Sequence, residues 1–414
     1  MTANTDELLQ LMADVVNVRR WREDPVAEDL LEKLLQAFRV GPSTGQPWEL
    51  LRLESPEAKG AAISATLEPL MTQGSEGAQH WLADAPVVIA VCLEMRRAMA
   101  RLGAAGRSHA LQDVGSALQN LRIMANALGL RTGVVREFDP ERMREALGLS
   151  WFMEPVAIIA VGYSDSYLEY PPRYSLPEFY RVHEPPDRAR ADNPRDRDDD
   201  SPASRPEPST PASPKRSQSG SDADAPVPAI YRRRSIRHYT GQPLEEGILQ
   251  RLLDAATRAP SSGNMQPWEF IVLESDDIRK AAVATTYSGF FAGPDNQQSW
   301  MLEAAVIVAV CTNRRRTMGR YGERLAHHSV QDVAAATENL MITATEMGLG
   351  TCWVGGFKAD EMTKLLGIPE GVQVLSMVAI GYPAHSPAPR ARLPLDMLTH
   401  RDRWGMPYFE RGEK

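Results

Sequence analysis

A chain of 414 residues has the length of two or three domains, and with 43% hydrophobic residues it can bury a sizeable core. A net charge of −8 excludes a general nucleic-acid binder, which needs a basic face against the phosphate backbone. Three cysteines (Cys92, Cys311 and Cys352) give neither a disulfide framework nor a metal-ligand spacing, so no metal site is expected.

The N-terminus lacks a basic region followed by an apolar run, so no secretory signal is expected. No apolar stretch approaches the roughly 20 residues that span a bilayer. The expectation is a cytoplasmic protein with no membrane and no nucleic-acid partner. Residues 5–13 carry Leu8, Leu9, Leu11 and Met12 at helical spacing. Residues 29–38 place Leu30, Leu31, Leu34 and Leu35 on one face, and both stretches predict amphipathic helices. Pro42 to Trp48 predicts a loop and Glu49 to Leu53 a strand. The continuous apolar runs Pro86 to Cys92 and Val156 to Val161 predict buried strands. Ser108 to Leu128, small or apolar on most faces, predicts a central helix. Cys92 and Cys311 each end an apolar run and read as core residues.

From about Glu184 to Pro226 the chain is nearly all Pro, Ser, Arg, Asp, Glu and Ala, without apolar periodicity. Such a segment cannot bury enough surface to offset its ordering entropy. Residues 183–227 are therefore expected to be a disordered, charged linker. Beyond it the first half returns. Gln112-Asp113-Val114 to Gly133 matches Gln331-Asp332-Val333 to Cys352 at an offset of 219, with about half the positions identical. Gln46-Pro47-Trp48-Glu49 matches Gln266-Pro267-Trp268-Glu269 at 220. This is a tandem duplication, too long for a solenoid repeat. It predicts domains at 1–182 and 228–414 that can pack as the two subunits of a symmetric dimer would.

Arg232-Arg233-Arg234-Ser235-Ile236-Arg237 sets four arginines and a serine within six residues. Alone, such a run is a solvated basic helix start or a clamp for a small anion such as phosphate. Downstream stand Pro260-Ser261-Ser262-Gly263-Asn264-Met265-Gln266-Pro267-Trp268, then Gly348-Leu349-Gly350-Thr351 to Phe357, then Arg390-Ala391-Arg392-Leu393-Pro394. Four motifs in this order, over essentially all of residues 228–400, resemble the FMN-dependent nitroreductase family. Residues 5–180 resemble it more loosely.

The resemblance implies an α+β fold: two domains, each a mixed sheet covered by helices, joined as an intramolecular pseudo-dimer with flavin sites at the interface. Carried over by motif position, Arg233, Arg234 and Ser235 would contact the FMN phosphate and ribityl chain. Arg237 would lie at the N1/O2 edge of the ring, where a cation stabilises the reduced flavin. Arg390 and Arg392 would close the clamp. Gly355 and Gly356 would offer backbone N–H groups to the ring, which needs close backbone approach. Pro260, Ser261, Ser262, Asn264 and Gln266 match the segment that reaches a flavin across the interface.

The first half departs from this pattern. Val15, Val16 and Asn17 stand for Arg233, Arg234 and Ser235, while Arg19 keeps the Arg237 position. Arg136 and Glu137 replace Gly355 and Gly356, with Glu137 expected to repel an anionic cofactor. Ser175 is matched to Arg392, and Arg173 survives. One FMN per chain is therefore expected, with Pro42, Ser43 and Thr44 lent by the first half.

The resemblance further implies an oxidoreductase in which NAD(P)H reduces the flavin and leaves before a small conjugated acceptor (nitroaromatic, quinone or similar) takes the electrons. Dehalogenation, ene reduction, a tailoring dehydrogenation, or flavin holding without turnover are alternatives within that resemblance. An interaction scaffold worked through the linker has no specific motif behind it. The flavin carries the chemistry, so no catalytic side chain is named, and His109 and His327-His328 read as helix-face residues. Arg96 and Arg97, matched by Arg315 and Arg316, are either a solvated helix face or a lid that meets the NADPH phosphate or an acidic substrate. Tyr287, Phe290 and Phe291 are candidates to stack on an aromatic acceptor. Trp81 and Trp300 read as core. A monomer acting as a pseudo-dimer and a homodimer pairing second halves are both compatible with the sequence.

Overall fold

The computed structural model describes residues 3–67, 77–166, 170–183, 225–287, 297–322 and 327–409. Most of the linker segment, with Phe290 and Phe291, lies outside the described residues. The first half runs α1 (Ala3–Ala13), α2 (Glu28–Arg39), β1 (Trp48–Arg52), α3 (Pro56–Ala65), β2 (Val87–Glu94), α4 (Met95–Leu102), α5 (Gly106–Ala127), β3 (Arg131–Val135), α6 (Pro140–Leu147), β4 (Met153–Gly162) and β5 (Tyr180–Val182). The second runs α7 (Pro228–Arg232), α8 (Ile248–Thr257), β6 (Trp268–Leu273), α9 (Asp276–Ala284), β7 (Val306–Asn313), α10 (Arg314–Tyr321), α11 (His328–Glu346), β8 (Gly350–Val354), α12 (Ala359–Leu365), β9 (Val372–Gly381) and β10 (Thr399–Arg401). The helices and strands expected from hydrophobic spacing in the first half are all present, with ends within a few residues.

Two five-stranded sheets result, ordered β10-β1-β2-β4-β3 and β5-β6-β7-β9-β8. The order is the same in each half, but the edge strands are exchanged. β10 of the second half lies parallel to β1, pairing Leu50 with Thr399. β5 of the first half lies parallel to β6, pairing Tyr180 with Phe270. The remaining pairs are antiparallel, so both sheets are mixed and the architecture is α+β.

α5 and α11 cross at the centre. A Cβ at Gly115 would fall 2.6 Å from the Gln331 carbonyl oxygen, so only glycine permits this crossing. Gln119 Nε2 donates to Asn339 Oδ1 at 2.8 Å across the same seam, which gives the buried Asn339 oxygen a donor. One continuous apolar cluster spans both halves, from Leu34 and Trp48 to Leu252 and Trp268. A separate cluster fills the outer face of each sheet. Cys92, Cys311 and Cys352 are free and buried. Among the described residues no helix is long and apolar enough to cross a membrane.

Candidate functional site

α7 is five residues long and stops at Arg232, because the chain turns extended at Arg233. The next residues run beside β8: Ser235 bridges Thr351, and Ile236 N–H donates to the Thr351 carbonyl at 2.9 Å. This threads Arg233, Arg234, Ser235 and Arg237 along the wall of a cavity of about 2040 Å³. Arg233 is 5% exposed. Its Nε lies 3.7 Å from Oε1 of the fully buried Glu338 on α11. Burial pushes the Glu338 carboxyl up to about 7, against the opposing pull of Arg233. Among the described residues, the Nε and Nη1 of Arg233 have no hydrogen-bond partner. The Arg237 guanidinium sits 5.8 Å from the centre of the Trp300 ring, a cation–π contact.

The C-terminal arm brings Arg390 and Arg392 to the same cavity. Arg392 Nη2 donates to the carbonyl of Gly41 at 3.0 Å, and Leu393 N–H to Gln46 Oε1 at 2.7 Å. Gly355 and Gly356, in the turn after β8, form another wall. A Cβ at Gly355 would lie 2.4 Å from Cε1 of His109, and one at Gly356 would lie 2.8 Å from the Tyr287 carbonyl. Any larger residue at either position would collide with these neighbours, so glycine is required for the close packing of His109 and Tyr287 on this turn.

The first half supplies the opposite side. Pro42, Ser43 and Thr44 line the cavity, and Asp113 of α5 fixes them. One Asp113 oxygen accepts from Ser43 Oγ at 2.9 Å, Thr44 N–H at 3.0 Å and Thr44 Oγ1 at 3.1 Å. Burial pushes this carboxyl up to about 6, while the three donors hold it down. His109, also from α5, is kept below its ordinary pKa by burial.

The mirror-related site is filled by the chain itself. Asn17 bridges Thr132 as Ser235 bridges Thr351, which fixes the correspondence. Val15, in the place of Arg233, is 1% exposed and packs in the core. Arg136, in the place of Gly355, extends to α11. It donates to Asp332 Oδ1 at 2.6 Å and to Gln331 Oε1 and the His328 carbonyl, each at 3.2 Å. These three residues correspond to Asp113, Gln112 and His109, all of which line the open cavity. A second guanidinium, Arg122, lies buried beneath and donates to Asn17 Oδ1 and Thr132 Oγ1 at 2.8 and 3.1 Å. Burial lowers its pKa to about 9, so it stays charged at neutral pH.

Pro260, Ser261, Ser262, Asn264 and Gln266 go to this filled site and not to the cavity. Ser262 N–H donates to Asp332 Oδ2, Asn264 Nδ2 to the Pro172 carbonyl, and Gln266 Oε1 accepts from Tyr174 N–H. The expected match of Ser175 with Arg392 is corrected by two residues. Arg173 donates to the Arg258 and Ala259 carbonyls as Arg392 does to those of Val40 and Gly41. Arg173 is therefore the counterpart of Arg392. Glu137 is not what closes this site: its Oε1 lies 4.0 Å from His328 Nδ1, while Arg136 takes the carboxylate.

Of the residues proposed for an acceptor, Tyr287 lines the cavity. Arg96 and Arg97 do not. Arg97 is bound to Glu49 at 2.6 Å and to Glu94, and Arg96 to Glu94 with its guanidinium 3.5 Å above the Phe152 ring. The cavity wall is taken instead by Ala100, Leu102, Gly103 and Ala105, from the end of α4 and the turn after it. Trp300, read as core, is also in the wall. Sequence reasoning passed over Arg39, Asp113 and His109. Asp113 and His109 had a signal, since both recur at the 219 offset as Asp332 and His328. Arg39 had none, because its counterpart is Thr257.

A sequence model described as the nitroreductase family matches residues 17–163 and 230–382, once in each half. A protein of Archaeoglobus fulgidus provisionally named NADH dehydrogenase/NAD(P)H nitroreductase is 35% identical over 159 residues, which are 37% of this chain and 83% of that protein. The FMN reductase (NAD(P)H) of Bacillus subtilis is 26% identical over 192 residues, covering 42% of this chain and 73% of its own. A solved structure from Anabaena variabilis, provisionally named a nitroreductase, superposes over 87% of this chain and 90% of its own with a TM-score of 0.55. At 15% identity that likeness is one of fold.

Proposed function

Because the chain belongs to the nitroreductase family, we propose that it is an FMN-dependent oxidoreductase that takes reducing equivalents from NAD(P)H and passes them to a small conjugated acceptor such as a nitroaromatic or a quinone. The observation that carries this reading is the convergence of the arginine run, the glycine pair and the C-terminal arginines on one cavity, while the mirror site is filled. The names of relatives that act with NAD(P)H and FMN point the same way.

The residues present fit an FMN. Arg233 holds two buried guanidinium nitrogens without hydrogen-bond partners among the described residues, a cost that an anion would relieve. Gly355 and Gly356 line the cavity without side chains, so a flat ligand can approach their backbone closely. When bound, the flavin supplies hydride transfer. The chain supplies the rest. Arg233, Arg234, Ser235 and Arg390 are the donors for a phosphate, through charge-assisted hydrogen bonds. Arg392, committed to two carbonyls, adds charge and ties the arm to the α2–β1 loop. Arg237, steadied on Trp300, would present positive charge to the cofactor and so favour its reduced, anionic form. His109 is neutral at pH 7 and packs over Gly355, so it excludes water there without adding charge. Both halves contribute to the one site, so a single chain is the complete unit in this reading.

The test is stoichiometry and bleaching. The purified chain is expected to carry one flavin per chain by absorbance and mass spectrometry, and anaerobic NADH or NADPH should bleach it. Two flavins per chain would remove the asymmetry from the proposal, and a flavin that stays oxidised would remove the reductase.

A further inference from the structure

α11 carries a carboxylate for which the flavin reading gives no use. Glu338 is fully buried and is not part of the cavity wall. Its Oε1 lies 3.7 Å from Nε of Arg233, which is part of that wall. At this distance the two charges attract, but no hydrogen bond forms. Among the described residues neither oxygen of Glu338 has a hydrogen-bond donor, just as Nε and Nη1 of Arg233 have no acceptor.

The duplication shows what this carboxylate goes with. At the 219 offset Glu338 corresponds to Gln119. In the filled half, where Val15 stands for Arg233, a glutamine thus stands for the glutamate, so cation and anion are absent together. Gln119 uses its amide across the α5–α11 seam, donating to Asn339 at 2.8 Å. The helix crossing is therefore served by an amide at this place, and the carboxylate belongs with Arg233.

A buried carboxylate without hydrogen bonds is costly when charged and far less so when protonated. Burial is the largest influence on Glu338 and pushes it up to about 7. Arg233, from the segment after α7, and Arg392, from the C-terminal arm, oppose that rise, and Asn120 of α5 lies beside it. A phosphate held by Arg233 would cancel the positive field that keeps Glu338 ionised.

Resting on the flavin reading above, we propose that Glu338 is a positioning residue of the clamp: as a carboxylate it is the counter-ion that holds Arg233 in place, and when the phosphate of the cofactor takes over that guanidinium it accepts one proton from solvent, so that cofactor binding and proton uptake are coupled. Uptake on binding means that affinity falls as pH rises above about 7. The neighbouring groups leave this window clear. Asp113, which acts on Arg392 from α5, is pushed up to about 6, and His109 is held below its ordinary value. The phosphate itself loses its second proton near 6. Among these groups, Glu338 is the one whose charge changes most from pH 7 to pH 9.

The test uses the full chain stripped of flavin and titrated from pH 7 to pH 9 with FMN and with riboflavin, which has no phosphate. FMN affinity is expected to fall by about tenfold over this range, while riboflavin affinity stays within about twofold. Calorimetry in two buffers of different ionisation heat should show roughly half a proton or more taken up per FMN at pH 8. Glu338→Gln should bind FMN with a profile flat to about twofold, and more tightly than the parent at pH 9. Glutamine already occupies this place in the other half, and the calorimetry needs no variant. A variant that follows the pH profile of the parent, a variant weakened equally at every pH, or FMN binding without proton uptake overturns the proposal and leaves the flavin reading intact. Riboflavin affinity that falls as FMN affinity does also overturns it, because the phosphate is then not the trigger. If neither flavin binds the parent at any pH, the flavin reading itself falls, and this proposal with it.

Discussion

The two mirror-related sites are built on one scaffold and differ in where their cations point. In the open site Arg233, Arg234 and Arg237 face a cavity, and the turn beside them is Gly355-Gly356. In the filled site Val15 takes the first of these places, and Arg136 grows from the turn into the space that a ligand would need. The carboxylates are retained on both sides and each holds the following loop, Asp113 through Thr44 N–H and Asp332 through Ser262 N–H, but Asp332 also holds Arg136. The difference teaches that a binding site need not be lost by erosion. It closes when a side chain of the protein satisfies the same groups that a ligand framed, and the closed version then serves as structure.

The comparison breaks most readily at the clamp. Replacing Arg233 and Arg237 by alanine removes two charged donors at about 1.5–3 kcal/mol each, so flavin affinity should fall by roughly a hundredfold or more in a titration of the flavin-free chain. Arg19→Ala, in the exposed counterpart position, should change it by less than about twofold; equal losses would erase the asymmetry. Next in size is Arg136→Met. It strands the buried Asp332 carboxylate and should lower unfolding free energy by about 3–5 kcal/mol in urea, with Asp332→Asn recovering much of the loss. A single variant as stable as the parent would show that the ion pair does not hold the site shut. The smallest effect sharpens the buried pair at the clamp. Burial raises the Glu338 carboxyl above its unfolded value to about 7. Its stabilising contribution is therefore complete below the unfolded pKa and is lost as pH rises through about 7. In flavin-free protein, the stability of the parent relative to Glu338→Gln should decline by on the order of 1–3 kcal/mol from pH 4 to pH 8 in thermal or urea unfolding. A flat difference would mean that Arg233 keeps Glu338 ionised throughout.

Much of this was legible in the sequence because the strongest signals are local or repeated. The apolar runs Pro86 to Cys92 and Val156 to Val161, which became β2 and β4, have no polar residue to compete for the interior. The duplication set the two halves side by side, so each departure in the first half was visible as a departure. What could not be read was anything decided across the chain. β5 and β10 are three residues each, Tyr-Arg-Val and Thr-His-Arg, with no pattern that names a partner in the other half. The match of Arg173 to Arg392, by contrast, was readable, since it keeps the 219 offset of the repeat, and the carbonyls held by the opposite half agree with it. Arg122 sits in an otherwise apolar stretch of α5. It finds its partners, Asn17 and Thr132, only once the loop before α2 has folded back onto β3.

The exchange of edge strands has a consequence for how the molecule is made. The first sheet needs β10 (Thr399–Arg401), which follows every other strand of the second half, so it stays one strand short until the second half has been made. Until then β1 presents an unpaired edge, the kind of surface on which nascent chains pair with the wrong neighbour. Pairings this distant in sequence also make for slow folding. Neither half is therefore a module that can be cut out whole: each carries away the strand that finishes the other.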